Sequence, residues 1–164
     1  MSKSTIPSPG SSWAHWSTSK KADLQSMVDA INSNNDNYLV RSIRTRFTVA
    51  EVNAGATILA ASAGQKYRMV DCTIAAQGGS AATGTAVIIV GTQTSAASLV
   101  SFATAQLTDD CFLRPGITGT TILANGASFI ANDANTAITI AKTGSNFATV
   151  THFDVCFSYV TETA

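Results

Sequence analysis

From Tyr38 onward the sequence is a succession of short apolar runs, each closed by turn residues, and this rhythm constrains the fold more than any other feature. Ile43, Thr45 and Phe47 alternate with Arg44 and Arg46, the two-residue period of a half-exposed strand. Val52 to Ala60 reads as a short strand or hairpin start, with Asn53 and Gly55 as its turn residues. Between Lys66 and Ala76, Val70, Cys72, Ile74 and Ala76 share an apolar face, and Tyr67, Met69, Asp71 and Thr73 a mixed one. Thr85-Ala86-Val87-Ile88-Ile89-Val90 is a continuous apolar run, fit for a buried strand. Further runs are Leu99 to Leu107, Cys111-Phe112-Leu113 before Pro115-Gly116, and Thr120 to Leu123 before Asn125-Gly126, a strong hairpin signal. Ala127 to Ala131, Ala137 to Ile140 and His152 to Val160 complete the series.

Eight or nine strands thus recur roughly every ten to fifteen residues, with no helical interludes. That spacing predicts a sandwich or barrel rather than a βαβ sheet. The last run is the most regular. Phe153, Val155, Phe157 and Tyr159 occupy one face, and His152, Asp154, Cys156 and Ser158 the other. A strand this apolar is expected inside a sheet rather than at its edge.

The front of the chain is written differently. Residues 1–18 start as a Ser/Pro/Gly-rich stretch too polar to form a core, which predicts an extended arm. The arm carries both tryptophans, in Trp13-Ala14-His15-Trp16, and these are expected to dock, on this subunit or on a neighbour. Residues 19–33 predict an amphipathic helix, because Leu24, Met27, Val28 and Ile31 fall at i, i+3, i+4 and i+7. Ser17, Thr18 or Ser19 can cap it, and the Asn-rich run from Asn32 to Asn37 stops it. So short a helix needs tertiary packing of its stripe. The expected organisation is an attachment segment over 1–37 and a β-sandwich over 38–164.

Charge narrows the function. Asp, Glu, Lys and Arg make up 12% of the chain, about half the usual share. A surface so poor in charge suits a protein packed against copies of itself. Residues 1–46 hold six bases against three acids, and the remainder four against seven. The front end is therefore suited to an acidic protein surface but too thinly basic for a nucleic-acid arm. No apolar leader opens the chain, and no run approaches the roughly 18 apolar residues of a membrane span. Cys72, Cys111 and Cys156 are widely spaced, show no metal-ligand pattern, and read as small buried hydrophobes in a reduced compartment.

Catalytic patterns are weak. His152 and Asp154 share a strand face, but no GxSxG elbow accompanies them. Asp109-Asp110 and Asn132-Asp133-Ala134-Asn135 read as turns rather than as cation loops. Gly78 to Gly84 lacks the Lys-Ser/Thr of a phosphate loop and reads as a flexible hairpin loop. Arg44 and Arg46 point the same way, with Phe47 on the opposite face. This favours a salt bridge to a neighbouring subunit, or plain solvated charge, over single-strand binding. The reading is a non-enzyme without cofactor or metal, and its partner-binding residues are Trp13, His15, Trp16, Leu24, Met27, Val28, Ile31, Arg44 and Arg46.

Residues 56–160 also resemble the small jelly-roll domains of tailed-bacteriophage virions. The resemblance is carried by Ile58-Leu59-Ala60-Ala61-Ser62-Ala63-Gly64-Gln65-Lys66-Tyr67-Arg68-Met69-Val70, by the Gly/Ala/Thr loop and apolar strand that follow, by Asn125-Gly126-Ala127-Ser128-Phe129, and by the aromatic strand from Phe153 to Val160. It implies an all-β, jelly-roll-like sandwich that forms trimers resembling the tumour-necrosis-factor fold. It further implies a head-decoration (cement) protein on the capsid surface, made in the host cytoplasm and bound to the major capsid protein or another virion protein. Alternatives are a receptor-binding knob or fibre tip and, further off, a carbohydrate-binding module. No nucleic acid or membrane partner is expected.

Overall fold

The computed structural model describes residues 20, 22–30, 39–81, 83–116, 120–122 and 129–164. The chain divides into two compact units, Met1–Asp36 and Asn37–Ala164. In the first, residues 22–30 form helix α1, within the span predicted for a helix. Gln25 Nε2 donates to Asp29 Oδ1 at 2.8 Å, one helical turn apart.

The second unit is an antiparallel β-sandwich. Its described strands are β1 (Arg41–Thr48), β2 (Ala56–Leu59), β3 (Gln65–Gln77), β4 (Gly84–Gln93), β5 (Ser95–Ala103), β6 (Phe112–Leu113), β7 (Thr120–Ile122), β8 (Ile138–Gly144) and β9 (His152–Thr163). One sheet has the order β1-β9-β3-β6, and the other β2-β8-β4-β5-β7. The pairings are nested: β1 with β9, β2 with β8, β3 with β6 and β4 with β5. A long antiparallel ribbon rolled so that its successive pairs alternate between two sheets gives this order, which is that of a jelly roll. Strand β7 is an addition on the outer side of β5.

Strand β9 lies between β1 and β3, as its apolar alternation predicts. Phe153, Val155, Phe157 and Tyr159 are all buried, and they meet Val87, Ile89, Phe102, Ile138 and Ile140 of the second sheet in one core. Strand β3 departs from the expected alternation. Met69 pairs with Tyr159 and Asp71 with Ser158, so Val70 is an extra residue, a β-bulge. The bulge reverses the parity of the strand. Tyr67 and Met69 before it, and Cys72, Ile74 and Ala76 after it, all face inward, while Val70 is 41% exposed. The partial alternation of the sequence is thus two regular half-strands out of phase.

Three further expectations are corrected. Of the strand or hairpin start expected over Val52 to Ala60, Ala56–Leu59 is a strand, whereas residues 52–54 belong to a short helix, α2 (Val49–Ala54). A capping box starts it: Thr48 Oγ1 accepts from the Glu51 amide at 3.3 Å, and the Thr48 amide donates to Glu51 Oε2 at 2.7 Å. Two hydrogen bonds to the carboxylate hold Glu51 below its ordinary range, that from the Thr48 amide first and that from Thr48 Oγ1, at 2.8 Å, after it. Gly55, at φ +84°, ends the helix and leads into β2. The Gly78–Gly84 segment links β3 to β4, strands of different sheets, and so is a crossover rather than a hairpin loop. It is also tied down. Gly79 N donates to Asp109 Oδ1 at 2.8 Å, Ala81 N to the Leu107 carbonyl at 2.9 Å, and Thr151 Oγ1 to the Gly78 carbonyl at 3.1 Å. Residues 129–131 are not a strand, and the Asn125-Gly126 turn lies outside the described residues.

Two glycines of this crossover sit where a side chain has no room. At Gly79, φ +132°, a Cβ would run into the Thr149 carbonyl oxygen, and at Gly84 into the ring of Phe147, itself buried. Gly84 has no left-handed backbone, so G84A isolates the packing effect. Both G79A and G84A are expected to lower stability by about 1–3 kcal/mol in chemical denaturation, with the far-ultraviolet circular dichroism of the native state retained. A G84A variant as stable as the wild type would show that the close approach of Phe147 is not required.

Candidate functional site

The residues singled out in the sequence fall into three groups. Trp13, His15, Trp16 and Ile31 lie outside the described residues. On α1, Leu24, Met27 and Val28 are exposed at 61%, 60% and 48%. Their helical spacing makes them one apolar stripe open to solvent. Arg44 and Arg46 stand on the exposed face of β1, and Phe47 is buried on the other, as the alternation requires.

Arg46 makes a salt bridge within the chain. Arg46 Nε donates to Asp154 Oδ1 at 2.9 Å, and Nη2 to Oδ2 at 3.1 Å. Register places the two side by side, because Arg46 pairs with Asp154 across β1 and β9. This two-point contact holds the Asp154 carboxyl below its ordinary range, through the hydrogen bond from Arg46 first and the charges of Arg46, His152 and Arg44 after it.

The same contact bears on His152. Its Nε2 lies 4.0 Å from Asp154 Oδ2, too far for a hydrogen bond, and is buried without a partner. Asp154 is committed to Arg46, so it does not orient the imidazole as a catalytic carboxylate must. Asp109 and Asp133 serve as turn anchors, for Gly79 N and for Thr94 N. Among the described residues no three His, Cys, Asp or Glu side chains gather as a metal site. No described helix is long and apolar enough to cross a membrane. The cysteines are free; Cys72 is buried, which pushes its thiol up, whereas Cys111 and Cys156 are only half-buried.

Two surface features go beyond the sequence reading. The first is an open depression on the outer face of the first sheet, lined by Arg44, Thr73, Phe112, Asp154, Val155 and Cys156. Phe112 stands at its margin, 62% exposed, which the apolar run Cys111-Phe112-Leu113 does not reveal because only Leu113 turns inward.

The second is a partition of charge between the sheets. Strands of the first carry Arg41, Arg44, Arg46, Lys66, Arg68, Asp71, Asp154 and Glu162. Strands of the second carry Lys142 alone, near the end of β8, where its Nζ donates to the Gly144 carbonyl at 2.8 Å. The signal is present in the sequence: from Cys72 to Thr108 there is no Asp, Glu, Lys or Arg. Comparison with protein-family models, with curated proteins and with solved structures gave no match.

The Arg46–Asp154 pair makes a pH prediction. The folded-state carboxyl of Asp154 lies below its unfolded value of about 3.9, so its contribution to stability is present above that value. The contribution is lost as pH falls through the lowered folded-state value. Because Arg46 is largely exposed, the effect is modest, a few degrees in thermal midpoint at most. Wild type is therefore expected to melt above D154N at pH 7, and the gap to close in strong acid. A gap that does not vary with pH would contradict this account.

Proposed function

We propose that this chain is a structural protein of a tailed-bacteriophage virion, a trimeric capsid decoration protein held to the head shell through its N-terminal segment. The observation that carries this reading is the exposed stripe of Leu24, Met27 and Val28 on a unit separate from the sandwich. A helix this short draws its stability from the surface its apolar face covers. An acidic shell surface would complement the excess of bases in residues 1–46.

The jelly roll supports the same role. Its described residues bring no catalytic base and orienting carboxylate into hydrogen-bond reach, and its strands form a rigid, nested frame. The sequence resemblance to phage jelly-roll domains points the same way, and the low charge of the chain suits a protein that spends its life against other protein surfaces.

The test is co-sedimentation with purified heads that lack this chain. The full chain is expected to bind in hundreds of copies per particle, as counted on a stained gel. A chain lacking residues 1–36 is expected to keep its β-rich circular dichroism and lose binding. The doubly substituted L24D/M27D chain should lose binding at least about tenfold. Undiminished binding by the truncated chain would refute attachment through this segment. A handful of copies, confined to tails, would favour the knob or fibre-tip role.

A further inference from the structure

We infer that copies of this chain meet through the outer face of the five-stranded sheet. This deepens the oligomer reading above, on which it rests, by naming the surface. The centre of that face is fixed by register. Ile88 of β4 lies between Ala141 of β8 and Ser101 of β5, and Val90 between Thr139 and Ser98. The neighbouring Val87, Ile89, Ile138 and Ile140 are buried, so the alternation of the strands turns these six residues outward. All six are half-buried in the isolated chain, and none can ionise.

Charge selects the occupant. The core of a protein–protein contact is marked by depletion of charged residues more than by bulk hydrophobicity. A nucleic acid, an anionic membrane or an acidic protein finds no complementary charge among the six residues at the centre of this face. A second copy finds surfaces on this chain that are equally poor in charge, since its charges are few and concentrated on the first sheet and the front segment. Two uncharged faces meet without stripping water from ions. Small Ser, Thr and Ala side chains around Ile88 and Val90 allow close approach, and the hydroxyls keep hydrogen-bonding capacity at the contact.

The area suffices. Its strands of four, seven, ten, nine and three residues (β2, β8, β4, β5 and β7), at about 4.8 Å spacing and about 3.3 Å per residue, present roughly 520 Å². In a trimer the contact runs head-to-tail, so the patch and the different surface of the next copy that covers it together bury roughly 1,050 Å², which meets the roughly 1,000 Å² that a specific interface needs.

The experiment is sedimentation velocity of the full chain at micromolar concentration, with circular dichroism as the check on folding. I88K places an ammonium at the centre of the face. T139K does so at a hydroxyl-bearing neighbour, with less loss of apolar packing, and it decides the matter if I88K does not fold. S158K adds the same charge to the outer face of the first sheet. The wild type is expected to sediment as an oligomer, and S158K with it. I88K and T139K should sediment as folded monomers, with the dissociation constant raised at least about a hundredfold, as an unpaired charge buried at an interface requires. A folded I88K or T139K at wild-type mass, or dissociation by S158K alone, would overturn the assignment of the face while leaving the oligomer reading standing. A monomeric wild type would overturn both.

Discussion

The fold depends on the insertion of β9 between β1 and β3. Its inward residues, Phe153, Val155, Phe157 and Tyr159, form the middle of the core, and its backbone pairs along its length with β3 and over eight positions with β1. The contact is long-range: Arg46 and Asp154, which it brings together, are 108 residues apart. The closure of so long a loop must be offset before the pairing stabilises anything, which places the formation of this sheet late and makes it cooperative. The other pairs are nested inside it: β4 with β5, β3 with β6 and β2 with β8 join successively more distant segments, and the pairing of β1 with β9 closes the ribbon they form.

The bulge at Val70 shows how far local pattern could be read. By its spacing Val70 belongs with Cys72, Ile74 and Ala76, and that parity holds for the last three but not for Val70. No residue in Arg68-Met69-Val70-Asp71 marks a bulge chemically. The shift is imposed by β9, whose strict alternation must be matched by a partner with one residue too many. Helix α2 is the opposite case. Its start signal, Thr48-Val49-Ala50-Glu51, is the capping-box pattern, and it is hidden by a β-like context that offers Asn53 and Gly55 as turn residues. The legible strands are those whose burial is set by period alone. The segments misjudged, among them the Gly78–Gly84 crossover, depend on which sheet the next strand joins, which is tertiary information.

The candidate site was less legible than the fold, for a related reason. Arg44 and Arg46 fall on one exposed face, as their spacing requires, but the partner of Arg46 depends on the register between two strands at opposite ends of the sandwich sequence. That register also explains why His152 and Asp154 are not hydrogen-bonded to each other. The two share a face, as i, i+2 spacing on a strand ensures, yet the carboxylate is claimed by a guanidinium that binds it at two points.

The charge partition sets the two sheets apart where their cores do not. In the first sheet, ions sit on the outer face and satisfy one another: Arg46 with Asp154, and Arg68 with Glu162. In the second, the core-facing positions are as apolar as in the first, but the centre of the outer face has no ions to balance. Burial of the inner faces cannot account for this difference, because both sheets share one core. Nor does strand propensity, since Thr, Ser and Val serve equally well on either sheet. The contact between copies inferred above is a constraint that would act on the outside of only one sheet. It requires small side chains and the absence of charge together, and β4, β5 and β8 have both around Ile88 and Val90.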